Sequence, residues 1–247
     1  MSINTSREFF NTSESKIYAE FNNVTIEEQT NRKGLLFIGP SPQWPGSENN
    51  KILNDMFYKL SREDFCVMKI IFRPYKSELF KKHDYDDIKY VRDSSVAVDY
   101  FFSKFSCVKF FIVVGYSWGA SIALNLLMRR PEISSFVLIS PTLSLKSCDF
   151  ISCLSVFKTK GLILHGEEDP MTAVPTLLQY VKLLQSKKMQ IEHHIIKGAD
   201  HYYTNGFQEL LQHFNNFIKS LGSNPNFNLN QSISINNLLV NKKNTPE

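Results

Sequence analysis

Residues 113–121 read VVGYSWGAS, an apolar run that leads to a serine between two glycines and then continues as a helical sequence. The apolar run predicts a buried strand, and the G-x-S-x-G pattern predicts a tight reversal of the chain into a helix. In such a turn Ser117 has a strained backbone, and its hydroxyl stands clear of the sheet edge. We expect Gly115 and Gly119 to leave room where strand and helix approach each other. Backbone N–H groups at the start of that helix favour a negative charge beside Ser117.

The composition indicates one globular domain. The chain has 247 residues, 43% hydrophobic and 21% charged, so a single core can serve it. Its 28 basic and 24 acidic residues are spread along the chain, and the net charge of +4 gives no concentrated basic face for nucleic acid. The four cysteines lack C-x-x-C or metal-ligand spacing, which favours reduced thiols in a reducing compartment.

The chain shows no targeting or membrane signal in its sequence. The first residues, MSINTSREFFNTSESK, have neither the basic start nor the apolar stretch of a signal peptide. No apolar run approaches the ~20 residues needed to span a bilayer. We therefore expect a cytoplasmic protein without stable membrane insertion, and the sequence leaves the oligomeric state open.

Apolar runs alternate with amphipathic helical patterns from residue 34 onward. The alternation predicts the α/β class, a three-layer sandwich in which helices cover both faces of a mostly parallel sheet. Strands are predicted over 34–38, 66–72, 109–114, 136–139, 161–164 and 191–196. Helical patterns are predicted over 52–60, 96–105, 121–130, 174–184 and 207–218, the third of them stopped by Pro131.

The ends of the chain differ from its centre. We expect a single domain over residues 1–222, in which residues 1–33 contribute edge strands at 15–22 and 24–28. From residue 223 asparagine and serine dominate, which predicts a poorly ordered tail over 223–247.

Two further motifs place polar side chains at strand ends. HGEED, over 165–169, and GADH, over 198–201, each follow a predicted strand. Asp169 comes 52 positions after Ser117, and His201 comes 32 positions after Asp169, which leaves room for the intervening helices and strands. Because the carboxyl ends of parallel strands meet at one edge, we expect these side chains to converge. A serine becomes a nucleophile when a base takes its proton and a third group orients that base.

The three motifs together resemble the α/β-hydrolase family, and within it the small bacterial hydrolases without a large lid. That group carries a GYSxGA turn, an HGxxD turn and a GADHF-like loop, and this chain has GYSWGA, HGEED and GADHY. The resemblance covers about residues 34–220. It implies that Ser117 is the nucleophile, Asp169 the orienting acid and His201 the general base. It also implies that the N–H of Trp118 donates to an oxyanion.

Other residues near the motifs offer alternatives. Glu167 or Glu168 could serve as the acid, but the HGxxD spacing favours Asp169, and Asp200 is interpreted as structural. The remaining candidate histidines are interpreted as strand or turn residues rather than metal ligands: His165, His193 and His194. We expect neither a metal nor a cofactor.

The resemblance implies a second oxyanion donor in the loop over 39–46. This loop reads GPSP where relatives have HPHP, and Pro40 and Pro42 have no N–H to donate. Ser41 is therefore the best candidate and Gln43 the second. Loss of one such donor can raise the activation barrier by ~3 kcal/mol. The departure of this loop from the family pattern therefore concerns the turnover rate more than the mechanism.

The motifs predict a serine hydrolase that cleaves an ester, thioester or amide of a small-molecule acyl substrate through an acyl-enzyme. Trp44 and Tyr116 are candidates for substrate binding, and Trp118 either lines an acyl pocket or packs within the fold. The connection over 140–160 is too short for a substantial inserted domain, which favours an open site. Two alternatives stay open: a weakened hydrolase fold kept for binding, and an acyltransferase with the same residues.

Overall fold

An eight-stranded sheet forms the centre of the computed structural model, which describes residues 4–12, 16–29, 32–42, 50–72, 87–142 and 159–221. The strands are β1 (Thr5–Asn11), β2 (Lys16–Asn22), β3 (Lys33–Ile38), β4 (Phe65–Ile71), β5 (Phe110–Tyr116), β6 (Ile133–Ile139), β7 (Lys160–Gly166) and β8 (Gln190–Ile196). They lie in the order β1-β2-β4-β3-β5-β6-β7-β8. β3 to β8 are mutually parallel. β1 and β2 form an antiparallel hairpin that joins the edge of β4.

The central parallel strands are apolar on both faces. In β5, Phe111 and Val113 point to one side of the sheet, Ile112 and Val114 point to the other, and all four are buried. Two buried faces require a layer of helices over each. Because the strands are parallel, their carboxyl ends lie along a single edge of the sheet.

Helices cover both faces of the sheet. They are α1 (Ile26–Gln29), α2 (Lys51–Leu60), α3 (Asp87–Lys104), α4 (Trp118–Leu127), α5 (Val174–Ser186) and α6 (Phe207–Ser220). α2 and α6 pack on one face, with Phe57 and Phe214 in a shared core. α3, α4 and α5 pack on the other, with Phe101, Leu124 and Leu184. The predicted three-layer α/β sandwich is confirmed.

Two helices differ in extent from their predictions. α4 begins at Trp118, three residues before the predicted start, and ends at Leu127 rather than at Arg130. The N–H groups of Arg129 and Arg130 both bond to the Leu126 carbonyl, which closes the helix before Pro131. A residue that precedes proline disfavours the helical conformation, so the chain leaves the helix early. α3 begins nine residues before the predicted start, because its apolar stripe extends back to buried Tyr90 and Val91.

The N-terminal region contains one correction. The hairpin of β1 and β2 lies at the sheet edge, but residues 24–28, predicted as a strand, contain the start of helix α1. Glu28 N donates to the Thr25 hydroxyl, and Thr25 N donates to the Glu28 carboxylate at 3.0 Å. This reciprocal pair is a capping box, which satisfies the free N–H groups at a helix start and favours helix over strand. The predicted tail over 223–247 lies outside the described residues.

Candidate active site

Ser117 lies in the turn between β5 and α4, as the G-x-S-x-G pattern predicts. Its backbone has φ 56° and ψ −123°, a region that residues with side chains rarely occupy. The Ser117 N–H donates to the Ile139 carbonyl at the end of β6, at 2.9 Å, which ties the turn to the neighbouring strand. Such strain persists only where the surrounding structure enforces it, and it concentrates at functional positions.

The two glycines of the turn permit different close contacts. A Cβ atom on Gly115 would overlap the Gly119 carbonyl and Ala120, which is the predicted approach of strand and helix. A Cβ atom on Gly119 would instead overlap the Ile38 and Gly39 carbonyls at the end of β3. Gly119 therefore lets the first turn of α4 pack against the start of the loop that was expected to supply an oxyanion donor.

Three side chains converge beside this turn. The Asp169 Oδ2 atom lies 2.7 Å from His201 Nδ1, and His201 Nε2 lies 3.0 Å from Ser117 Oγ. All three residues are buried. A carboxylate can only accept, so Nδ1 carries the imidazole hydrogen and the lone pair of Nε2 faces the serine hydroxyl. The structure thus forms one hydrogen-bonded line from acid to imidazole to hydroxyl.

The Asp169 carboxyl group stays ionised in this setting. Burial alone raises its pKa, but the hydrogen bond and charge of His201 and the hydrogen bond from Met171 N outweigh burial, so the pKa lies below its ordinary value. The Met171 N–H donates to the second carboxylate oxygen at 2.8 Å. Both oxygens of Asp169 are therefore held, and its negative charge faces the imidazole.

The competing carboxylates lie elsewhere. Glu167 accepts from the Gly198 N–H at 2.9 Å, at the exposed side of the turn. Asp200 accepts from the N–H groups of Tyr202 and Thr204 and from the Thr204 hydroxyl, which folds the loop after β8. Asp169 is the carboxylate that the structure brings to His201.

Hydrogen bonds between successive strand ends align these loops. Ser140 N donates to the Leu164 carbonyl at 2.8 Å, which joins the end of β6 to β7. Glu167 N donates to the Ile196 carbonyl at 3.0 Å, which joins the end of β7 to β8. Together with the bond from Ser117 to β6, they bring three distant sequence motifs to one edge of the sheet.

Backbone strain recurs around the site. Besides Ser117, both Ser140 and Tyr203 have positive φ, 42° and 48° respectively. Their hydroxyls are buried and lie 3.1 Å apart, which connects the end of β6 to the loop that carries His201. A positive φ is energetically unfavourable for residues other than glycine. The contacts around these loops must therefore hold them in this one arrangement.

The two expected oxyanion donors lie at the start of α4 and after the end of β3. Trp118 is the first residue of α4, where backbone N–H groups point away from the helix. Its ring packs edge-on against Tyr90 and Phe72, with centroids 5.0 and 5.9 Å away, so the half-buried side chain packs against the core. Ser41 is buried and follows Gly39, which contacts Gly119. Gln43 lies outside the described residues.

The structure describes one of the two predicted substrate contacts, Tyr116. Trp44 lies outside the described residues. Tyr116 is only 1% exposed, so its side chain does not reach a bound substrate. Its hydroxyl instead donates to the His201 carbonyl at 2.9 Å and receives a hydrogen bond from the Asn50 side chain. The alternation of β5 could have indicated this, because Tyr116 shares the face of buried Ile112 and Val114.

The three histidines interpreted as strand or turn residues lie in strands. His165 lies in β7, and His193 and His194 lie in β8. Within the described ranges no three potential ligands cluster as a metal site would require. None of the helices in the part of the chain that the structure describes is long and apolar enough to cross a membrane.

The strand order, the helical layers and the strained serine after β5 define an α/β hydrolase. Residues 72–217 match the model of the dienelactone hydrolase family. The chain belongs to this family, and it is a hydrolase. The resemblance inferred from the three motifs is confirmed at the level of the family.

Individual proteins show the same relationship. The uncharacterized protein RP471 of Rickettsia prowazekii is 29% identical over 220 residues, which cover 87% of this chain and 90% of that protein. The crystal structure of a protein of unknown function from Agrobacterium tumefaciens has a TM-score of 0.72 at 27% identity, over 87% of this chain and 95% of the other. An alpha-beta serine hydrolase homologue from Coxiella burnetii shares the fold, with a TM-score of 0.67 at 16% identity over 86% and 96%.

Proposed function

We propose that this hydrolase cleaves carboxylic esters by acyl transfer to Ser117. The observation that carries the proposal is the continuous line of hydrogen bonds from Asp169 through His201 to the Ser117 hydroxyl, with separations of 2.7 and 3.0 Å. This geometry supplies both requirements of an activated serine, a base within reach and a group that orients the base.

In the acylation step the Ser117 oxygen attacks the substrate carbonyl carbon while its proton passes to His201 Nε2. The imidazolium is stabilised by the Asp169 carboxylate, which keeps its charge throughout. When the tetrahedral intermediate collapses, the bond to the leaving oxygen breaks, and His201 returns the proton to that oxygen. The alcohol departs, and the acyl group stays on Ser117.

In the deacylation step water takes the place of the alcohol. His201 accepts a proton from the water, whose oxygen attacks the acyl carbonyl carbon. Collapse of the second intermediate releases the carboxylic acid and returns the proton to the Ser117 oxygen. Neither the acylation step nor the deacylation step requires an external cofactor.

The negative charge of each intermediate develops at the N-terminus of α4. We infer that the Trp118 N–H donates to it, because it directly follows the nucleophile at the positive end of the helix. Ser41 is the second candidate, supported by the packing of Gly39 against Gly119. The position of the N–H donor in this loop affects the turnover rate more than it affects the reaction mechanism.

The family name supports esters as the substrate class. A lactone is a cyclic ester, so hydrolysis of a lactone uses the same attack on a carbonyl carbon. Thioesters and amides differ only in the leaving atom and stay within the proposal. We also infer a reducing, cytoplasmic location, supported by Cys66 and Cys107, which are free thiols.

The ordered hydrogen-bond line favours catalysis over a fold kept for binding, because binding alone does not require an oriented imidazole. Acyl transfer to another alcohol remains distinct from hydrolysis in its products. Mass spectrometry of the products with and without an added alcohol separates the two: hydrolysis predicts free acid as the main product in both mixtures.

The proposal is tested with a panel of p-nitrophenyl acyl esters and simple lactones. Ser117→Ala should lower kcat by roughly 10³-fold or more, because the covalent step is removed. Ser186→Ala is a matched control at the exposed end of α5, where the hydroxyl bonds only to the Leu183 carbonyl, and should keep the full rate. Full turnover by Ser117→Ala would refute the proposal.

A further inference from the structure

His165 has one hydrogen-bonded and one unpartnered nitrogen at the base of the site. It lies near the end of β7 and is fully buried. Its Nε2 atom lies 2.8 Å from the Thr172 carbonyl. A carbonyl oxygen only accepts, so Nε2 carries the hydrogen, and the neutral ring presents the lone pair of Nδ1 on its other side.

The unpartnered nitrogen faces the proposed catalytic acid. His165 Nδ1 has no hydrogen-bond partner among the described residues and lies 3.8 Å from Asp169 Oδ2, the oxygen that accepts from His201. This separation is too long for a hydrogen bond. Burial and the nearby His201 lower the pKa of His165, although Asp169 and the Thr172 carbonyl act in the opposite sense. A neutral His165 does not compete for Oδ2.

The bond to Thr172 closes the turn that carries Asp169. The Thr172 hydroxyl also donates to the Pro141 carbonyl at 3.0 Å, and Met171 N donates to Asp169 Oδ1 at 2.8 Å. The turn is therefore anchored to β7 through His165, to the end of β6 through Pro141, and to itself through the carboxylate. A shift at Thr172 moves the carboxylate relative to the imidazole.

We propose that His165 is a positioning residue that aims Asp169 at His201. Its Nε2–H fixes the far end of the acid turn, and its bare Nδ1 leaves Oδ2 to His201 alone. The inference rests on the proposed function, since it concerns the alignment of that hydrogen-bond line. It gives the histidine of the HGxxD turn a role that its placement in a strand does not by itself indicate.

Two replacements separate the roles of the two nitrogens. The amide of His165→Gln reaches the place of Nε2 and can donate to Thr172, whereas the shorter amide of His165→Asn reaches only the place of Nδ1. We expect His165→Asn to lower kcat roughly 10- to 100-fold with KM within about twofold, because a misplaced acid misaligns the base. His165→Gln should recover kcat to within about fivefold of the wild type. The matched control His193→Asn, in β8, should leave kcat unchanged.

The outcomes are distinct. The inference is overturned if folded His165→Asn keeps the wild-type kcat, or if His165→Gln is slowed as much as His165→Asn. If His165→Asn does not fold, ¹⁵N imidazole NMR of the wild type still decides: a hydrogen on Nε2 is expected at neutral pH, and a hydrogen on Nδ1 overturns the inference. Retained turnover by Ser117→Ala would instead reject the proposed function itself.

Discussion

The Tyr116→Phe replacement removes one oxygen atom and tests how His201 is held. Tyr116 is fully buried, and its hydroxyl donates to the His201 carbonyl at 2.9 Å while it accepts from Asn50. Removal of one partner of a buried hydrogen bond leaves the other unsatisfied, and an unpaired buried carbonyl costs about 1–3 kcal/mol. We therefore expect the free energy of unfolding to fall by about 1–3 kcal/mol, which lowers Tm by a few degrees.

The effect on catalysis should be separable from the effect on stability. Without its anchor the backbone at His201 can shift, and a misalignment that costs about 1.4 kcal/mol of barrier lowers kcat tenfold. We expect a kcat about tenfold lower with KM little changed, measured on a p-nitrophenyl ester together with thermal unfolding. Tyr58→Phe is the matched control, since its hydroxyl donates to Glu20 in β2 at 2.9 Å and not to a loop of the site. The reasoning is refuted if Tyr116→Phe loses stability but keeps its rate, or if both variants slow equally.

Three further predictions follow from buried groups. Asp169→Asn should lower kcat about 10³- to 10⁴-fold, and a fluorophosphonate should still label Ser117, but slowly. The variant should also be less stable than the wild type, and this difference in the free energy of unfolding should shrink below pH about 4, because a carboxyl with a depressed pKa stabilises the fold only while it is ionised. A difference that persists unchanged at pH 3 contradicts this. Lys69→Met should lower the free energy of unfolding by about 1.5–3 kcal/mol in urea titrations, because Lys69 Nζ lies 3.0 Å from buried Glu20 and its loss leaves that carboxylate to the exposed Arg7 and the Tyr58 hydroxyl; addition of Glu20→Gln should recover part of the loss. Burial raises the pKa of the Cys66 thiol to about 12, so iodoacetamide at pH 8 should modify Cys66 only after denaturation. Peptide mapping would show the modification, and rapid modification of the folded protein would contradict the burial of this thiol.

Much of the fold can be predicted because most of the parallel strands are apolar on both faces. β3 to β7 each contain an apolar run, β8 is a predicted strand with polar residues at 192–194, and each pattern of helical spacing between the strands corresponds to a helix. The order of Ser117, Asp169 and His201 places each at the end of a parallel strand, and parallel strands bring those ends together. Convergence of the three side chains therefore follows from local patterns and one rule of topology.

Other features depend on pairs of residues far apart in the chain. The overlap that forbids a side chain at Gly119 is with the end of β3, about 80 positions earlier, and no local pattern indicates it. The sequence makes Tyr116 a candidate for substrate binding, whereas its hydroxyl bonds to the His201 carbonyl, 85 positions later. The capping box at Thr25 is a local signal, and it should have outweighed the strand predicted over 24–28.

The most direct test of the account is covalent labelling with a fluorophosphonate, which reacts with an activated serine hydroxyl. The account predicts one adduct per chain, located by peptide mass spectrometry on Ser117, and lost in Ser117→Ala. In His201→Gln the adduct should form far more slowly, because the base that takes the proton is gone. An adduct on another residue, or labelling of Ser117 at an unchanged rate in His201→Gln, would contradict the central claim.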